Sequence, residues 1–129
     1  MIDEQQVPML RRWSLEEFND THGAVLVDFD GTMTTGGYPT IGDPYRSTLR
    51  YVEHLRSDMG KLVVIWTCRT SMSLCKTAMG QRRAIQEMEK WFHEHDAKVD
   101  GILMAEKPIT SLYLGDETLN PNDLADAGV

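Results

Sequence analysis

The sequence predicts one α/β domain of three layers, with a mainly parallel sheet, helices on both faces and no separate cap domain. Three observations lead there. Apolar runs recur at 24–29 (AVLVDF), 61–67 (KLVVIWT), 99–105 (VDGILMA) and 111–115 (SLYLG), and short unbroken runs of this kind suit strands buried on both faces. Helical periodicity fills the intervals between the first three, the alternation that builds parallel sheets. Finally, 129 residues with 41% hydrophobic and 26% charged side chains suffice for one core and fall short of two.

The opening MIDEQQVPMLRRW is mixed in charge and broken by Pro8, so residues 1–20 read as an N-terminal extension. The first strand runs into Asp28 and Asp30. Residues 31–44, GTMTTGGYPTIGDP, hold four glycines and two prolines, which predicts a turn followed by a short flap or hairpin. In 44–60, Leu49, Val52, Leu55 and Met59 fall at helical spacing, and Gly60 can end that helix in a left-handed cap. The second strand ends at Thr67. Residues 70–79 suit either a loop or an irregular helix start. Over 80–96, Ile85, Met88, Trp91 and Phe92 form one stripe of a second helix. Residues 121–129 read as a C-terminal tail.

The net charge of −7 argues against broad attraction to nucleic-acid backbones, which would need a local basic patch. No apolar run reaches the roughly 20 residues of a spanning helix, so no membrane partner is expected. Two cysteines, Cys68 and Cys75, with no secretory pattern ahead of them, predict a reduced, cytoplasmic setting.

Ligands of open α/β sheets bind beyond the carboxyl ends of the strands. There the sequence sets Asp28 and Asp30, then Thr67, then Lys107, then Asp116. Asp28 and Asp116 would hold Mg2+, a hard cation that takes oxygen ligands. Asp28 would attack phosphorus and form an aspartyl-phosphate, while Asp30 would act first as acid and then as base. Thr67 and Lys107 would bind phosphoryl oxygens, and N–H groups around Gly31 and Thr32 would add an anion nest. Arg69, two residues past Thr67, is a candidate substrate-phosphate contact.

Plainer readings stand beside these. Asp28 and Asp30 are common turn residues, Thr67 would serve as a cap, Lys107 as a solvated lysine and Arg69 as a surface arginine. Cys68 has no paired histidine in the sequence to make it a nucleophile. His93 and His95 do not share a helix face, and Tyr38 and Tyr45 belong to the flap or its rim.

VDFDGT resembles the D-x-D-G-T hallmark of the haloacid dehalogenase-like phosphohydrolase superfamily, and WTCRT, EKP and LYLGDE resemble its later motifs in order. The likeness covers about residues 24–120. It implies a Rossmann-like sheet, a Mg2+ site drawn from Asp28, Asp30 and Asp116, and hydrolysis of a small phosphorylated substrate. The absence of room for a cap resembles the small capless members, whose open sites take large or exposed substrates or borrow cover in a homo-oligomer. The flap Tyr38, Pro39, Ile41 and Gly42 is similar to that of small bacterial and phage hydrolases. Asn120 departs from the family, standing where a second acid is common; Glu117 or Asp123 would have to replace it. That departure motivates an alternative, a phosphate- or metal-binding module without turnover. A phospho-receiver domain is a third reading, against which the D-x-D-G-T spacing argues.

Overall fold

A computed structural model of the chain describes residues 7–36 and 38–106. The fold is α/β. Strands β1 (Arg12–Trp13), β2 (Ala24–Val27), β3 (Leu62–Ile65) and β4 (Gly101–Leu103) form one sheet in the order β1-β4-β3-β2, with every pair parallel. The helices are α1 (Leu15–Asn19), α2 (Arg46–Ser57), α3 (Met72–Cys75) and α4 (Ala78–Glu94). The sequence-predicted strand at 111–115 lies outside the described residues.

Side chains alternate across the strands, and the alternation divides the core. Val27, Val63, Ile65 and Ile102 pack with Val52 and Leu55 of α2 and with Ile85, Met88, Trp91 and Phe92 of α4. Both long helices therefore cover the same face. The opposite face carries a smaller cluster of Trp13, Val64 and Leu103, joined by Phe18 of α1 and by Trp66.

Three local differences from the sequence reading have physical causes. Residues 12–13, ahead of the expected core, supply an edge strand because Trp13 is buried and its indole N–H donates to the Asp100 carbonyl at 3.0 Å. Helix α2 stops at Ser57, and Gly60 adopts its left-handed conformation (φ 63°) three residues later. Residues 70–79 resolve into a 3-10 turn at Cys68–Thr70 and the short α3, which ends on Lys76 with φ 66°. Thr77 then caps α4 by accepting the Gly80 N–H at 2.9 Å. Among the described residues, no helix is long and apolar enough to cross a membrane.

Candidate functional site

Strands β2 and β3 run side by side with Val27 opposite Ile65, and the Trp66 N–H donates to the Val27 carbonyl at 3.0 Å. Asp28 and Thr67 therefore leave the sheet at the same edge. Between the two aspartates, Phe29 is fully buried, its ring meeting Trp91 edge-on at 5.2 Å and Phe92 at 5.7 Å. The D-x-D spacing thus follows from strand alternation: one large apolar side chain enters the core, and its neighbours stay half-buried at the rim.

The backbone turns directly afterwards. The Phe29 carbonyl accepts N–H groups from Thr32, Met33 and Thr34 at 3.3, 2.9 and 3.2 Å. Gly31, at φ 75°, takes a conformation that costs a side-chain-bearing residue, and its N–H donates to the Thr34 carbonyl at 3.0 Å. The N–H groups of Gly31 and Thr32, expected to form an anion nest, are thus engaged inside the turn.

Asp28 Oδ1 accepts the Phe29 N–H at 2.8 Å. Asp30 faces Arg69: Nε lies 2.9 Å from both carboxylate oxygens and Nη2 lies 2.6 Å from Oδ1. The same guanidinium donates to the flap carbonyls of Pro39 (3.1 Å) and Thr40 (2.6 Å). Arg69, expected to contact a substrate phosphate, is instead only 3% exposed and ties Asp30 to the flap. The reason is desolvation, since a buried guanidinium must have its donors satisfied, and a carboxylate with two carbonyls does so.

Thr67 is buried, and its hydroxyl oxygen accepts the Arg69 N–H at 3.1 Å. It therefore caps the turn, and the same hydroxyl still carries an O–H donor. Cys75 donates to the Arg69 carbonyl at 3.0 Å, and burial, with the nearby Glu106 charge adding to it, pushes its thiol pKa up. Glu106 went unnoticed in the sequence although it stands where the third apolar run stops. It accepts the Met72 N–H at 3.0 Å and the Ser71 hydroxyl at 3.3 Å, joining the end of β4 to the loop after β3.

The flap closes over this edge. Thr34 Oγ1 accepts the Gly42 N–H at 2.8 Å and the Gly36 N–H at 3.3 Å, and the Trp91 indole donates to the Gly42 carbonyl at 2.8 Å. Tyr38 stays half exposed at the tip, its ring centroid 5.5 Å from the Arg69 guanidinium carbon.

Asp28 is a hard oxygen donor suited to a divalent cation. The carboxylate of Asp30 is shared with the Arg69 guanidinium, whose positive charge opposes a second cation beside it. Among the described residues, no group of three or more His, Cys, Asp and Glu side chains could hold a metal. Lys107, Asp116, Glu117, Asn120 and Asp123 lie outside the described residues. No family model matches the chain, and no curated protein or solved structure matches it.

Proposed function

We propose that this chain is a magnesium-dependent phosphohydrolase of the haloacid dehalogenase-like kind, acting on a phosphomonoester through an aspartyl-phosphate. The observation that carries the reading is the shared edge of Asp28, Asp30 and Thr67 at the carboxyl ends of adjacent parallel strands. The stepping of β2, β3 and β4 in one direction also suits one wing of a Rossmann-like sheet.

An Asp28 oxygen attacks phosphorus, the bond to the leaving oxygen breaks, and a proton delivered by Asp30 completes the alcohol. Water then attacks the aspartyl-phosphate, Asp30 takes its proton, and inorganic phosphate leaves with Asp28 restored. The Thr67 hydroxyl and Lys107 bind the phosphoryl oxygens. Mg2+ held by Asp28 and Asp116 would supply positive charge against that of carboxylate and phosphoryl. Oδ1 of Asp30 accepts from both Nε and Nη2 of Arg69 while Oδ2 accepts from Nε alone, so Oδ2 keeps a lone pair that can carry the proton.

The decisive variant is Asp28→Asn, whose amide oxygen can still accept the Phe29 N–H. Release of phosphate from 4-nitrophenyl phosphate in the presence of Mg2+ should fall by about a thousand-fold or more, with the thermal midpoint unchanged. Activity that survives the substitution rejects Asp28 as nucleophile. The Asp30–Arg69 pair favours a second reading, a phosphate- or metal-binding module without turnover. Wild-type protein that binds phosphate and Mg2+ but hydrolyses no member of a broad phosphomonoester panel would select it.

A further inference from the structure

The flap residue Tyr38 has no part in the chemistry above, yet its setting is unusual. The other Phe, Tyr and Trp side chains among the described residues are buried or half-buried, whereas Tyr38 is 50% exposed. The flap that carries it is nevertheless anchored. Thr34 pins the flap at Gly36 and Gly42, Trp91 holds Gly42, and Arg69 holds the carbonyls of Pro39 and Thr40, on either side of the next peptide. Beneath the ring sits the guanidinium that also grips Asp30. An exposed aromatic ring backed by a buried cation is a ready stacking surface, and one carried on an anchored flap loses little freedom when a ligand covers it.

Resting on the phosphohydrolase reading, we infer that Tyr38 determines substrate class by stacking on a flat leaving group, so that the substrate is a phosphomonoester of an aromatic or heterocyclic alcohol. With phosphorus at Asp28 and the leaving oxygen at Asp30, the leaving group starts beside Arg69, which holds the flap carbonyls of Pro39 and Thr40 and lies 5.5 Å from the Tyr38 ring centroid. Among the described residues of 31–106 no segment is long enough for a separate cap, which leaves the flap tip as a surface for contact with the leaving group.

Benzylphosphonate and cyclohexylmethylphosphonate differ in flatness and resist hydrolysis, so calorimetric titration into the full chain with Mg2+ reads recognition without turnover. Wild-type protein should bind the benzyl compound about ten-fold more tightly, in keeping with the strength of a single aromatic stack. Tyr38→Leu should reduce that ratio to about one, and Tyr38→Phe should keep it. Equal binding of the two ligands by wild-type protein overturns the inference, as does a ratio that persists in a folded Y38L or disappears in Y38F. If Y38L does not fold, Tyr38→Ser, which also removes the ring from this exposed position, takes its place, and a ratio that persists in it overturns the inference. Failure of wild-type protein to bind either compound removes the phosphoryl site itself, and with it both the inference and the reading on which it rests.

Discussion

Arg69 meets three otherwise separate parts of the chain: Asp30 after β2, the flap carbonyls, and Thr67 through its own N–H. Its i+2 spacing from Thr67 marked it as chemically relevant, but spacing could not distinguish a substrate contact from an internal ion pair. That choice is made by burial, which comes from tertiary packing. Cys75 hangs on the same residue and offers a chemical probe of it. Its folded-state pKa lies above the ordinary 9.0, through burial first and the Glu106 charge second, so the folded protein holds the thiol proton to higher pH. Stability linked to this group is complete below pH 9 and declines as pH rises past it toward the folded value. Alkylation of Cys75 by iodoacetamide at pH 8.5 should therefore be several-fold slower than that of the unfolded chain. Glu106→Gln should recover part of the difference, as peptide mapping of the labelled site would record. Equal rates in folded and unfolded protein would contradict this description of the thiol.

At the scale of elements the flap has little regular structure and is ordered by close backbone approach. A Cβ on Gly42 would fall within 3 Å of the Gly36 backbone and the Thr35 hydroxyl, and one on Gly36 would meet the Gly42 backbone in turn. Gly42→Ala should destabilise the protein by about 1–3 kcal/mol, the usual cost of overpacking, and open residues 35–45 to limited proteolysis. A flap as resistant as wild type would mean that the two strands of backbone have room to part. The sequence made this flap legible through its glycines and prolines, and the β2–α2–β3–α4–β4 alternation through unbroken apolar runs and helical stripes. It did not disclose β1, because two residues are too few for any periodicity. The start of α1 is written in the sequence: Ser14 and Glu17 form a reciprocal capping box, the S-x-x-E pattern before a helix, within the segment 1–20 that otherwise reads as an extension. The Asp28, Asp30 and Thr67 end of the site was visible from where strands stop. The committed N–H groups of Gly31 and Thr32 were not, since they depend on how the turn closes.

Across the whole molecule, the core on one face of the sheet and the candidate site are a single packing unit. Val27 and Phe29 continue the inward-facing row of β2 past the strand end, and Phe29 is enclosed by Trp91 and Phe92 of α4. Trp91 in turn holds the flap through Gly42. Loss of the Phe29 ring should therefore act twice. Phe29→Ala should lower unfolding free energy by about 3–5 kcal/mol, a large part of the 5–15 kcal/mol typical of a domain, seen as a lower denaturant midpoint at unchanged slope. It should also release Asp28 and Asp30 from their fixed separation, so phosphate release should fall further than the loss of folded protein explains. Ile85→Val provides the control, because Ile85 belongs to the same buried cluster and is not part of the edge that carries Asp28, Asp30 and Thr67. It should cost about 0.5–1.5 kcal/mol and leave activity per folded molecule unchanged. If the two variants lose activity only in proportion to unfolding, then the aspartates are positioned by the turn that follows them and not by the core beneath.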